Sequence, residues 1–154
     1  MNTTVAISDS VNATHNVAKT LTPHLSPGTI LALHGDLGSG KTCFVTGIAN
    51  ALGISEPITS PTFTMINEYE GMQNLCHMDL YCISNPDELF TLGLEDYFNG
   101  NGITIIEWAE RAGDLLPEHS IHICFEVLDA PNSRKITITS PHELPLPMGQ
   151  LSND

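Results

Sequence analysis

Gly35-Asp36-Leu37-Gly38-Ser39-Gly40-Lys41-Thr42 fits the phosphate-binding pattern G-x-x-x-x-G-K-[ST] at each fixed position. The flanks suit it. Thr29-Ile30-Leu31-Ala32-Leu33-His34 is an apolar run that predicts a buried strand before the loop, and residues 43–52 are helix-compatible with Gly53 as a stop signal. Glycines let the backbone fold closely around an anion, so that successive N–H groups and the positive end of the next helix point at the phosphates. Lys41 is then expected to reach the β- and γ-phosphates, and Thr42 to offer its hydroxyl to Mg²⁺. Chance supplies the four fixed positions in about one chain in two hundred of this length. Gly35, Asp36, Leu37, Gly38, Ser39, Gly40, Lys41, Thr42 and the following Cys43 are therefore the candidate contacts for a nucleotide.

Composition bounds the reading. A length of 154 residues with 41% hydrophobic and 15% charged residues suits one globular domain, expected over 1–140, followed by a loosely ordered, proline-containing tail over 141–154. No run approaches the roughly 18 apolar residues of a membrane span, and the amino terminus lacks a basic segment followed by an apolar one, so a cytoplasmic protein is expected. Cys43, Cys76, Cys82 and Cys124 show no C-x-x-C spacing, and reduced thiols are expected. Five Lys and Arg stand against 18 Asp and Glu, a formal net charge of -13. So few cations cannot neutralise many nucleic-acid phosphates, which disfavours autonomous RNA or DNA binding. An acidic surface suits a partner protein with a basic patch, and it equally suits solubility alone.

The pattern along the chain predicts an α/β fold, a mostly parallel sheet of the phosphate-loop type flanked by helices, with antiparallel strands at its edges. Val5-Ala6-Ile7 reads as an edge strand, and Val11, Val17, Ala18, Leu21 and Leu25 recur at helical spacing over about 11–22. Residues 63–69 and 74–80 read as two strands joined across Glu70-Gly71-Met72. Ser84-Asn85-Pro86-Asp87-Glu88 is a helix start, with that helix expected to reach Leu92. Ile103-Thr104-Ile105-Ile106 is a second buried parallel strand, and residues 121–128 and 136–139 form a closing pair.

A nucleotide site of this kind needs an acid at the tip of a neighbouring strand to hold Mg²⁺ and orient water. Glu107 and Asp79 each end a predicted strand. Trp108, the only tryptophan, suits either covering the site or filling an apolar gap. Ser60-Pro61-Thr62-Phe63 lies where nucleotide switches place a hydroxyl that senses the γ-phosphate, and it equally suits a Ser-Pro turn. His77 shares a strand face with Asp79, but a lone strand histidine is more often a packed or orienting group than a metal ligand.

Taken in order, the loop at 35–42, Ser60-Pro61-Thr62-Phe63, His77-Met78-Asp79-Leu80-Tyr81, Pro86-Asp87-Glu88-Leu89 with Leu92-Gly93-Leu94, and Ile106-Glu107-Trp108 resemble the TsaE (formerly YjeE) ATPases of tRNA threonylcarbamoyladenosine synthesis. The resemblance covers roughly 5–140. It implies an ATP- and Mg²⁺-dependent ATPase acting with a TsaD-type transferase and its TsaB-type companion, with tRNA contacted mainly through those partners and no membrane involved. It implies that Lys41 meets phosphate, that Thr42 and Glu107 serve the metal, and that Asp79 is a second acid needed for activity. Thr62 matches a switch-like hydroxyl, Arg134 a nucleotide-contacting cation, and Asn12 a neighbour of the base. One departure is Cys82, where the family usually carries arginine.

Three other functions use a phosphate loop. A small-molecule kinase usually gathers several cations around the transferred group; beyond Lys41 this chain has only Lys19, Arg111, Arg134 and Lys135. A GTPase is disfavoured by the lack of an N-K-x-D sequence. A non-catalytic nucleotide sensor would keep the loop, though the intact acids argue for turnover.

Overall fold

Ile30–His34 forms strand β2, and its alternating side chains enter two separate apolar clusters: Leu31 and Leu33 face one, Ile30 and Ala32 the other. A strand buried on both faces has no polar side to show, which is why its sequence reads as an unbroken apolar run. The structure is a computed structural model. It describes residues 2–36, 38–61, 66–85, 87–91, 93–98, 100–144 and 146.

Around β2 the described residues form a seven-stranded sheet. The other strands are β1 (Asn2–Ser8), β3 (Ile66–Tyr69), β4 (Leu75–Asp79), β5 (Ile103–Glu107), β6 (Ile121–Val127) and β7 (Arg134–Ser140), in the order β1-β7-β6-β2-β5-β4-β3. The centre, β6-β2-β5-β4, is parallel; β7 and β1 on one side and β3 on the other are antiparallel. This is the expected α/β sheet with antiparallel edges. The predicted closing pair does more than close the sheet, because β6 enters its parallel centre, pairing Leu31 with Ile121 and Leu33 with Ile123. Ile121 and Ile123 bury in the cluster that holds Leu31 and Leu33.

Helices α1 (Val11–Leu21) and α2 (Lys41–Ala51) cover the face of that cluster. Ser10 starts α1 by accepting the Ala13 N–H at 3.0 Å, and Ala13, Thr14, Val17, Ala18 and Leu21 are its buried stripe. Val11, in the first turn, is not part of that stripe and is 62% exposed. The two helices approach so closely that a Cβ on Gly47 would lie 2.7 Å from Ala18 Cβ and 3.1 Å from His15 Cα. Only glycine fits there.

The opposite face is covered by short pieces, α3 (Glu88–Thr91), α4 (Leu94–Phe98) and a 3-10 segment at Ala109–Leu115, with Leu89, Leu94, Phe98, Ala109 and Ala112 buried against Ile30, Ala32 and Ile106. The helix start expected over residues 84–88 is seen as local bonds of Ser84 and Asn85 ahead of α3, which begins at Glu88. Ser84 donates to the Glu88 carboxylate from both its N–H and its hydroxyl at 3.3 Å, and Asn85 Oδ1 accepts the Asp87 N–H at 3.0 Å. Residues 63–65, Pro86 and Leu92 of the predicted elements lie outside the described residues. All four thiols are free. After β7, Leu144 and Leu146 are half-buried against the core, while Pro145 and 147–154 lie outside the described residues. No described helix is long and apolar enough to cross a membrane.

Candidate nucleotide-phosphate site

The loop joins the carboxyl end of β2 to α2, and Gly40 makes the join at φ 106, a left-handed conformation that a side chain would oppose. As the first boundary residue of α2, Gly40 brings no capping side chain, and the first turn of the helix carries no acid. Among the described residues, the leading N–H groups of α2 therefore have neither an intrahelical partner nor a side-chain acceptor, and the positive end of the helix suits an anion. Ser39 N–H donates to Asp36 carbonyl at 3.1 Å, closing the loop. Ser39 Oγ is buried and has no hydrogen-bond partner among the described residues. Asp36 and Gly38 are exposed, and Leu37 lies outside the described residues.

Lys41 is the unusual side chain of this region. It is only 5% exposed, and no salt bridge among the described residues involves it. Its Nζ donates to Gly35 carbonyl at 2.7 Å and lies 4.0 Å from the centre of the Trp108 ring. A carbonyl and an aromatic face solvate a buried ammonium partly, but neither carries the full negative charge that would compensate its lost water.

The two predicted acids arrive together, since Asp79 and Glu107 are register partners at the carboxyl ends of β4 and β5, 5% and 4% exposed. Thr42 Oγ1 donates to Glu107 Oε1 at 3.5 Å, a long contact in which hydroxyl and carboxylate face the same spot. The other oxygen, Oε2, accepts His77 Nε2–H at 2.5 Å. Asp79 turns to the backbone instead, where its Oδ1 accepts the Tyr81 N–H at 2.8 Å.

Trp108 follows Glu107 directly and adopts a left-handed backbone, φ 58 and ψ 42, unusual for an aromatic residue. That conformation ends β5 and folds the indole over Lys41, with Tyr81 5.0 Å away ring to ring. Both roles open to Trp108 remain compatible with this position, since the ring lies over Lys41 and also packs, partly buried, against the cluster of Ile30, Ala32 and Ile106. Arg134, at the start of β7, donates from Nη2 to Gly38 carbonyl at 3.2 Å and from Nη1 to Ser133 carbonyl at 3.1 Å. It thus reaches the loop across 96 residues of sequence. Beside it is a cavity of about 400 Å³ lined among others by Asp9, Val11, Gly40, Cys43, Asn132 and Arg134. Burial pushes the Cys43 thiol up, against the opposing pull of Arg134. Asn12 is exposed in the first turn of α1 and does not line this cavity; its neighbour Val11 does. Thr62 lies outside the described residues, Ser60 is exposed and Pro61 buried. Cys82 is exposed in the turn after β4.

Sequence reasoning missed His77 as the partner of Glu107, as well as Tyr81 and Asn132. Their partners lie on other strands or loops, and only the strand alternation of His77 hinted that it shares a face with the acids. A wider cleft, about 640 Å³, lies at the amino ends of β4 and β5 and carries Glu56, Glu68, Glu70 and Asp96. Four carboxylates repel a polyphosphate, so the loop end is where an anionic nucleotide fits.

Comparison with known proteins follows the same lines. The family described as "Threonylcarbamoyl adenosine biosynthesis protein TsaE" matches residues 8–136. A Treponema pallidum protein named tRNA threonylcarbamoyladenosine biosynthesis protein TsaE is 44% identical over 114 residues, 74% of this chain and 84% of that protein. Its namesake from Bacillus subtilis is 41% identical over 128 residues, 82% of this chain and 79% of that protein. A crystal structure of Bacillus subtilis YdiB superposes with a TM-score of 0.80 and 32% identity, covering 97% of this chain and 91% of that one.

Proposed function

The chain belongs to the TsaE family, and from that premise we propose that it is a Mg²⁺-dependent ATPase serving tRNA threonylcarbamoyladenosine synthesis in the cytoplasm. It acts with TsaD-type and TsaB-type partners, which contact the tRNA. The observation that carries the reading is Lys41, a buried ammonium with no anionic partner among the described residues, set at the start of α2 beside Thr42 and Glu107.

The residues present suit the nucleotide and its metal. Among the described residues Ser39 Oγ is a buried hydroxyl without a hydrogen-bond partner and the start of α2 has no side-chain cap, and Thr42 with Glu107 is an all-oxygen set of the kind Mg²⁺ prefers. When bound, ATP supplies the phosphoryl group and Mg²⁺ neutralises charge on its oxygens. Lys41 exchanges the Gly35 carbonyl for a phosphate oxygen, under the cover of Trp108. Thr42 and Glu107 would hold the metal, and Glu107 would also orient the attacking water. Asp79 fixes the turn at Tyr81 that sets the edge of the site. Arg134 ties Gly38 to β7 and flanks the cavity in which we place the nucleoside. Thr62 is assigned the sensing of the γ-phosphate.

A small-molecule kinase is less well supported, because Arg111 and Arg134 both spend donors on backbone carbonyls, at Ile83 and at Ser133 and Gly38. Phosphate release from ATP, measured for the purified protein alone and with the two partners, tests the proposal. Release that depends on Lys41 and rises with the partners supports it; release in neither mixture overturns it.

A further inference from the structure

His77 is the one fully buried histidine among the described residues, 0% exposed, and its only hydrogen bond described here goes to Glu107. We propose that His77 is a positioning residue for Glu107: its Nε2–H holds Oε2 and so turns Oε1 toward Thr42. The inference rests on the reading of Thr42 and Glu107 as the magnesium side of the site.

The geometry follows from the sheet. Leu75, His77 and Asp79 in β4 share one face with Ile103, Ile105 and Glu107 in β5, because side chains alternate along a strand and the register pairs them in step. Asp79 stands directly opposite Glu107, and two neighbouring carboxylates would repel each other. Each instead has a donor of its own: Asp79 the Tyr81 N–H at 2.8 Å, Glu107 the imidazole at 2.5 Å. His77 sits one register step behind, on the diagonal, where a side chain of its length spans the gap. A carboxylate accepts hydrogen bonds, so the ring proton of this pair belongs on Nε2. Nδ1 is buried and has no partner among the described residues, so the bond to Glu107 is the hydrogen bond that orients the packed ring. The carboxylate pinned at Oε2 presents Oε1 to Thr42 Oγ1 at 3.5 Å. Partners of this kind orient a ligating group and commonly change metal affinity or activity 10–100-fold.

The test is the Mg²⁺ dependence of binding of a fluorescent ADP analogue, which needs no turnover, in the parent, His77→Leu and His77→Gln. Without Mg²⁺ the three should bind alike. His77→Leu should need about 10–100-fold more Mg²⁺ to tighten binding, and His77→Gln, whose amide can donate from nearly the same place, should recover most of that loss. In a Glu107→Gln background, His77→Leu should add nothing further. A folded His77→Leu with the parent's Mg²⁺ requirement overturns the inference, since a purely structural histidine would lower the melting temperature and leave that requirement alone. Should His77→Leu fail to fold, nitrogen NMR of the parent decides. The inference expects an Nε2–H tautomer whose proton signal shifts when Mg²⁺·ADP binds; an Nδ1–H tautomer, or no shift, overturns it. If the parent shows no nucleotide binding that depends on Lys41, the phosphate-site reading fails instead, and the two failures are thereby separated.

Discussion

Lys41 and Glu107 carry opposite charges into the same buried region and are stabilised there by different partners, one by a carbonyl and an indole face, the other by an imidazole and a threonine hydroxyl. Removing them should have different consequences. On the proposed reading, Lys41→Ala would delete a charged hydrogen bond to the nucleotide, about 2–3 kcal/mol, so nucleotide affinity should fall on the order of a hundredfold. Isothermal titration with ADP checks this, and unchanged affinity would remove Lys41 from the phosphate site. The thiols give a second prediction at this scale. Burial, helped by Glu68, pushes Cys76 up to about 12, whereas Cys82 is exposed. At neutral pH a thiol reagent should therefore label Cys82 in the native protein and reach Cys76 only after unfolding. Lys41, Thr42 and Glu107 were legible in sequence because a local pattern places each of them: the loop motif for two, the end of an apolar run for the third. His77 and Arg134 were not legible as partners, because their contacts depend on strand register and on a return of the chain from 96 residues away.

At the scale of elements, the contact between α1 and α2 sets how the phosphate loop is held. Gly47→Ala would place a methyl group 2.7 Å from Ala18 Cβ. The helices would have to separate, at a cost of about 1–3 kcal/mol, which urea denaturation should register as a lower midpoint with an unchanged slope. The end of β2 offers a pH test. His34, just before the loop, meets His122 of β6 at 2.9 Å and Glu110 at 3.3 Å. Burial first, and the His34 ring second, lower the His122 pKa from its ordinary 6.5. Because the folded protein protonates His122 less readily than the unfolded chain does, this contribution to stability is complete above about pH 6.5 and is lost as pH falls through the lower folded value. Between pH 7.5 and 5.5 the parent should lose more stability than His122→Gln; equal losses in the two would contradict the assignment. The apolar runs at β2 and β5 announced their burial directly. The place of β6 beside β2 did not show, because Ile121, Ile123 and Phe125 alternate with half-exposed or exposed residues, as in any edge pair, and only the paired registers reveal the parallel neighbour.

For the whole molecule, topology gathers the chemistry at one end of the sheet. The parallel strands β2, β4 and β5 all point their carboxyl ends toward the loop, so residues from three separated stretches of sequence converge there, as ligand-binding residues do in open α/β sheets. The surrounding charge of -13 disfavours anion binding over most of the surface, so Lys41, Arg134 and the start of α2 are where a polyphosphate is best accommodated, and so few cations disfavour autonomous RNA binding. The central claim, that ATP turnover at this end of the sheet drives tRNA modification, is met most directly by one measurement. Phosphate release and tRNA threonylcarbamoylation are followed together in a mixture of the two partners, tRNA and saturating Mg²⁺·ATP, comparing the parent with Glu107→Ala. Loss of one positioned group of this kind commonly costs about 10²–10³ in rate. Phosphate release should fall by that factor and multiple-turnover modification with it, while nucleotide binding stays within the range set by a lost metal contact. A Glu107→Ala protein that binds ATP normally and hydrolyses it at the parent rate would contradict the account.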